Sequence, residues 1–322
     1  MTLQSKPFVA PDGKQRGAVD ATRSGGGTRG VVVATFGRRY EVETLAGTPP
    51  IDCVSRGKKH LAACGDQVEI TATGPGQGVI ENMLPRRNYL ERSDAFKRKS
   101  IAANVDQVLV LAAVEPWASE EFISRVLLIA HAAGVPALIA LNKTDLSGAR
   151  EARARLMMFE AAGHEIVTLK TKPRDGTQSS AQEALLERLA GKCTVLAGQS
   201  GMGKSSLINA LIPDARAATS ELSAALKAGK HTTTFSRLYR IDAASTIIDC
   251  PGMQEVGIHH LNLDDLESGF GEFAPYRGHC RFANCRHTHE PDCALRGAVA
   301  GGAVNATRLA LFQQLATELK RS

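Results

Sequence analysis

Residues 193–211 read as a short apolar strand, Cys193-Thr194-Val195-Leu196-Ala197, then a glycine-rich turn, then a run with helical apolar spacing, Ser206-Leu207-Ile208-Asn209-Ala210-Leu211. The turn, Gly198-Gln199-Ser200-Gly201-Met202-Gly203-Lys204-Ser205, has the form G-x-x-x-x-G-K-[ST]. Between a strand and a helix it implies a parallel α/β sheet, with backbone N–H groups and a helix N-terminus converging on an anion. Gly198 to Gly203 would wrap the phosphates, and Ser206 follows in the first helical turn. Lys204 would reach the β- and γ-phosphates, and the Ser205 hydroxyl would ligate Mg²⁺. Unusually, the loop lies well past the middle of a chain of 322 residues.

The sequence around it divides into four stretches. Residues 1–28 are polar, glycine-rich and basic, the texture of a disordered arm. Residues 29–98 hold five short strand candidates: Val31–Ala34, Tyr40–Leu45, Ile51–Val54, Gln67–Thr71 and Gly78–Glu81. Gly47-Thr48-Pro49-Pro50, Gly65-Asp66 and Gly74-Pro75-Gly76 punctuate them, as expected of a small all-β Greek-key barrel of the OB type. After a charged linker at Arg92–Lys99, residues 99–260 alternate buried strands (105–113, 136–141, 165–169, 193–197) with helices (120–133, 150–162, 180–189), a doubly wound α/β pattern. Residues 261–322 suggest helices over 263–273 and 303–319 around a cysteine cluster.

Two further motifs define the nucleotide. Asn142-Lys143-Thr144-Asp145 closes an apolar strand, and the Asp145 carboxylate can accept hydrogen bonds from guanine N1–H and its exocyclic amine. Adenine offers no such donor pair, and an unpaired buried partner costs about 1–3 kcal/mol, so one carboxylate sets the base preference. Asp249-Cys250-Pro251-Gly252 supplies D-x-P-G: Asp249 for Mg²⁺ through water and the Gly252 N–H for the γ-phosphate. Lys230-His231-Thr232-Thr233-Thr234 lies between, with a threonine (Thr233 is the choice here) to close on Mg²⁺ when GTP is bound. In an ordinary GTPase the phosphate loop precedes N-K-x-D. Here it follows, so the domain is circularly permuted, and the γ-phosphate sensor leads straight into the C-terminal stretch. Met253 stands where Ras-like proteins carry a water-positioning Gln, which leaves His231 or a partner group to orient the attacking water.

Cys280-x₄-Cys285-x-His287-x₅-Cys293 offers three thiolates and an imidazole within 14 residues, suiting one closed tetrahedral structural Zn²⁺, with His279 and His289 as alternative nitrogen ligands. The formal charge is +6. Residues 1–99 carry 16 Lys and Arg against 10 Asp and Glu, whereas the remainder carries 23 of each, so the excess lies with the barrel and points to nucleic acid. Arg38, Arg39, Arg56, Lys58, Lys59, Arg86 and Arg87 fall near its turns as a phosphate-tracking face, with Tyr40 and Tyr89 available for base stacking or barrel packing. No apolar run reaches 18 residues and the N-terminus lacks a signal-peptide core, so a cytoplasmic protein without membrane contact is expected.

Asn104-Val105-Asp106-Gln107, Asn142–Asp145, Gly198–Ser205, Lys230–Thr234, Asp249–Gly252 and the zinc cluster, in that order, resemble the ribosome small-subunit-dependent GTPase A family of permuted GTPases. The resemblance runs from Gly30 through nearly the whole chain. It implies an OB barrel, a permuted GTPase and a zinc domain acting as a monomer on the small ribosomal subunit (30S) and its rRNA late in maturation. It also implies weak GTP hydrolysis to GDP that the subunit stimulates, followed by release. One departure is the guanine-backing loop near Leu169-Lys170-Thr171, which lacks the family's Ser-Ala pair. Other readings are a permuted GTPase of large-subunit assembly, a P-loop ATPase, or a nucleotide-gated RNA-binding protein with negligible hydrolysis.

Overall fold

The computed structural model describes residues 27–45, 48–56, 62–93, 98–171, 180–212, 235–250, 253 and 256–320. Lys58, Lys59, His231, Thr233 and Gly252 lie outside these residues, as does nearly all of the N-terminal arm. Five strands form the N-terminal barrel: β1 (Thr28–Phe36), β2 (Arg39–Glu43), β3 (Ile51–Ser55), β4 (Gln67–Gly74) and β5 (Gln77–Met83). The order is β1-β2-β3-β5-β4, and β1 returns to β4 to close it. Val32, Tyr40, Val42, Cys53, Val68, Ile70 and Ile80 fill the interior. Tyr40 is 1% exposed, so its ring is barrel packing and not a base platform.

The stretch read as a charged linker is a hairpin. β6 (Tyr89–Ser93) pairs antiparallel with β7 (Arg98–Ala103). It leads into the α/β body through Arg87, which binds Asp106 and the Asn104 carbonyl at 2.8 and 2.9 Å. The body holds β8 (Gln107–Ala113), β9 (Ala137–Asn142), β10 (Glu165–Thr168) and β11 (Cys193–Ala197), with β12 (Phe235–Arg240) and β13 (Thr246–Asp249) after the phosphate loop. β10-β9-β8-β11-β13 are parallel neighbours, and β12 is antiparallel at the end. Seven consecutive buried residues in β8 reflect helices on both faces. Of these, α1 (Glu120–Ala132) starts on Ser119, whose hydroxyl accepts from the Phe122 N–H, and it buries Phe122, Ile123, Val126 and Ile129. α2 (Ala149–Ala161), α3 (Ser180–Leu189) and α4 (Lys204–Leu211) complete the set.

Sequence periodicity does not reveal β12, because Arg237 and Arg240 interrupt it. Its partners lie in the barrel. The first half of β1 (Thr28–Val31) pairs with β4, and Ala34–Phe36 pair with Arg237–Phe235. Arg237 meets Glu41 at 3.0 Å, and Arg240 engages the Glu43 carboxylate through two nitrogens. Barrel and body therefore share one 11-stranded sheet.

The C-terminal unit comprises α5 (Leu263–Gly269), a 3₁₀ turn over Gly271–Tyr276, α6 (Ala294–Ala300) and α7 (Ala306–Lys320). Arg308 of α7, 2% exposed, ties it to the body: its guanidinium binds Glu272 at 2.6 Å and the Ser124 hydroxyl of α1 at 3.2 Å. Phe270 and Phe159 face that guanidinium at 4.2 and 5.1 Å. Among the described residues no helix is long and apolar enough to cross a membrane.

Candidate active site and metal centre

β11 ends at Ala197 and α4 begins at Lys204, so Gly198–Gly203 cross between them at the carboxyl edge of the parallel sheet. Gly203 has φ +98°, and a Cβ there would stand 2.4 Å from Asn142 Nδ2. That close approach matters. Asn142, fully buried at the end of β9, donates Nδ2 to the Met202 carbonyl at 2.9 Å, fastening the base-reading motif to the phosphate loop. The same amide donates to Thr171 Oγ1 at 3.1 Å and accepts from the Thr171 N–H at 3.2 Å. The loop at 169–171 thus lacks Ser-Ala but keeps a hydroxyl on Asn142. Thr171 was not singled out from the sequence because a different residue type fills that place.

Lys143, at φ +61°, lays its ammonium on the Glu115 carbonyl at 2.6 Å. Thr144 bonds the Leu169 carbonyl through its N–H and hydroxyl, at 3.2 and 3.0 Å. Asp145 is half-exposed beside them. Gln199 Oε1 accepts from the Ser119 N–H at 3.2 Å, linking the phosphate loop to the start of α1. Met202 is buried, whereas Ser200 and Ser205 are exposed at the loop's mouth and Ser206 is half-buried behind them. Lys204 donates to the Gly198 and Gln199 carbonyls at 2.6 and 3.0 Å; burial lowers its pKa, and the Asp249 charge opposes that.

Asp249 ends β13 beside the loop. Its Oδ1 is buried without a hydrogen-bond partner, and desolvation raises its pKa against the pull of Lys204. A buried, unpartnered carboxylate oxygen within range of the Lys204 charge is the kind of oxygen ligand a largely hydrated Mg²⁺ takes. The site therefore fits that ion. Met253 is 1% exposed in the core, so it cannot face an attacking water.

The four predicted metal ligands converge. All their ligand atoms lie within 4.8 Å of one another. His287 Nδ1 stands 3.5, 3.6 and 3.3 Å from the sulfurs of Cys280, Cys285 and Cys293, and Cys280 Sγ is 3.9 Å from Cys293 Sγ. Metal bonds of about 2.3 Å to sulfur and 2.0–2.1 Å to nitrogen imply tetrahedral edges of about 3.8 and 3.6 Å, which these distances match. His289 instead meets the Thr288 hydroxyl at 3.0 Å, outside the cluster.

Two carboxylates that sequence spacing does not reveal support this centre. Glu290 accepts from the N–H groups of Arg286, Thr288 and His289 at 2.8, 2.9 and 3.1 Å, which holds its pKa at about 2 and shapes the loop that places His287 at φ +60°. Glu267 of α5 stands 3.9 Å from the outward nitrogen of His287.

The basic residues of the barrel are dispersed. Arg38 is exposed at the β1–β2 turn, Arg39 pairs with Asp52, and Arg56 meets Glu81 at 2.9 Å while staying exposed. Arg86 is committed inward, clamping the fully buried Asp66 at 2.7 and 2.6 Å with its face on Tyr89. Arg87 binds Asp106, as described above.

A phosphate loop locked to a guanine-reading N-K-x-D motif that precedes it in the chain, on a doubly wound sheet, defines a circularly permuted P-loop GTPase. A family model described as RsgA GTPase matches residues 83–259. Across 302 residues the chain is 47% identical to the small ribosomal subunit biogenesis GTPase RsgA of Burkholderia pseudomallei (strain 668), covering 94% of this chain and 95% of that protein. It is 45% identical to the protein of the same name from Ralstonia nicotianae over 308 residues, 94% and 96% of the two chains. The crystal structure of YjeQ from Thermotoga maritima superimposes with a TM-score of 0.69 at 30% identity, over 92% of this chain and 99% of that one. YloQ, described as a circularly permuted GTPase, shares the fold at a TM-score of 0.65 and 24% identity, over 94% and 98%. The chain belongs to the RsgA GTPase family and is a GTP hydrolase of ribosome biogenesis.

Proposed function

We propose that this GTPase binds the small ribosomal subunit, assists its late maturation, and leaves when GTP has been cleaved to GDP and phosphate. The observation that carries the reading is the joint between nucleotide site and barrel. β12, which pairs with the Asp249 strand on one side, pairs on the other with the barrel strand that ends at the turn bearing Arg38 and Arg39. Exposed arginines on that turn, with Arg56 nearby, offer charge to rRNA phosphates, and Lys58 and Lys59, outside the described residues, would add to it. The names of the relatives, at 47% identity across nearly the whole chain, support the small subunit as partner.

In this reading Gly198–Ser206 wrap the phosphates, Lys204 meets the β- and γ-phosphates, and Asn142–Asp145 hold guanine. Ser205, Asp249 and Thr233 would hold Mg²⁺, which would supply positive charge to offset the charge developing on the phosphates. Gly252 senses the γ-phosphate. With Met253 in the core, His231 or a group from the subunit orients the water, so unaided turnover is slow. The Cys₃His centre takes a structural Zn²⁺, closed to water and therefore not hydrolytic. The protein acts as a monomer in the cytoplasm.

The test is GTP hydrolysis with purified small or large subunits. Small subunits should raise turnover by at least 10-fold, and His231→Ala should reduce that gain. Stimulation by large subunits alone would replace this reading with a large-subunit role, and stimulation by neither would remove it.

A further inference from the structure

Buried polar atoms without a partner are few in folded proteins, and each calls for a reason. Among the described residues, two of them are Tyr239 Oη on β12 and Asp249 Oδ1 at the end of β13. The strands are antiparallel neighbours, with Arg237 opposite Asp249 and Tyr239 opposite Ile247. Tyr239 and Asp249 therefore leave the same face at diagonal positions, about 7–8 Å apart, a gap an aromatic side chain spans. Tyr239 is 7% exposed. A phenol keeps its proton at neutral pH, so the Tyr239 hydroxyl is available as a donor.

The other groups on this face do not take that place. Arg237, opposite Asp249, gives a terminal nitrogen to Glu41, and its buried Nε makes no hydrogen bond to Asp249; Lys204, at the start of α4, donates to the phosphate-loop carbonyls. Cys64, the remaining group facing Tyr239, donates its thiol to the Val33 carbonyl. A hydroxyl that costs free energy where it stands, beside a carboxylate that needs a donor, is a matched pair.

We propose that Tyr239 is a positioning residue for the Mg²⁺ end of the nucleotide site, its hydroxyl being the donor that orients the Asp249 carboxylate toward the cation. Carboxylates that serve metals are generally held by such outer partners, and loss of one typically costs ~10–100-fold in metal affinity. The inference rests on Asp249 serving Mg²⁺, which the same experiment tests separately.

The variant is Tyr239→Phe in the full chain, which keeps the ring and its packing. The measurement is release of a fluorescent GDP analogue as Mg²⁺ is titrated, with a parallel series in EDTA and a thermal melt. The Mg²⁺ concentration that half-retains GDP should rise by ~10-fold. GDP affinity in EDTA should stay unchanged, and the melting temperature should hold or increase, since an unpartnered buried hydroxyl is gone. An unchanged Mg²⁺ midpoint in Tyr239→Phe, with a shifted midpoint in Asp249→Asn, would overturn the role of Tyr239 alone. An unchanged midpoint in Asp249→Asn would overturn the Asp249 reading and this one with it.

Discussion

Asn142 is the residue on which the nucleotide site turns. Its side chain joins Met202 of the phosphate loop to Thr171 of the loop after β10. Gly203 exists for that contact: at φ +98°, with 2.4 Å between its virtual Cβ and the Asn142 amide, a side chain is excluded twice over. Gly203→Ala should therefore lower GTP and GDP affinity by at least 10-fold by calorimetry, with the circular-dichroism spectrum kept; unaltered affinity would show the contact to be incidental. The G-K-S and N-K-x-D letters are legible because their chemistry allows few substitutes. Thr171, Glu267 and Glu290 are not, because a hydroxyl or carboxylate that supports another residue has many possible addresses in sequence.

At the scale of elements, α1 works as a strut. Gln199 bonds the backbone at its first residue's cap, and Arg125 at mid-helix binds Glu318 of α7 and the Val256 carbonyl just past the D-x-P-G segment, at 2.8 and 3.3 Å. Its last turn places His131 on the Ser268 hydroxyl of α5 at 3.0 Å. His260 meets the Ser93 hydroxyl of the β6–β7 hairpin at 2.8 Å, and His164 follows α2. Burial holds all three imidazoles below the ordinary 6.5. The unfolded chain then takes up protons that the folded chain refuses, so stability is lost as pH falls from 6.5 through those lowered values. The melting temperature should fall by on the order of a few degrees between pH 7 and 5, and His164→Asn should flatten the slope. A flat profile in the parent protein would contradict this. The alternating α/β pattern was readable because strands covered on both faces are continuous apolar runs, as in β8 and β9. The hairpin was not, since Arg92, Arg98 and Lys99 look like a linker when their pairing across the turn is unseen.

For the whole molecule, the decisive feature is one sheet shared by two units. Arg240 is paired with Glu43, whose side chain is 9% exposed, across the joint between them. Removing the arginine takes two charge-assisted hydrogen bonds from a buried carboxylate. Discounted for an arginine side chain that is 30% exposed, Arg240→Ala should cost about 1–3 kcal/mol. Limited proteolysis should then cut the barrel faster than the α/β body; equal rates in variant and parent would show that the joint carries little. Nothing in the sequence marks this seam, because its two halves are separated by most of the chain. The seam also has a consequence during synthesis. The β1 edge emerges from the translating ribosome roughly 200 residues ahead of β12, a wait of roughly 10–40 s at ordinary elongation rates. Only Ala34–Phe36 await β12, and Gly37-Arg38-Arg39 follow at once, so the open edge is short and ends in positive charge. A nascent barrel guarded in this way can wait for its last neighbour without recruiting a strand from another chain.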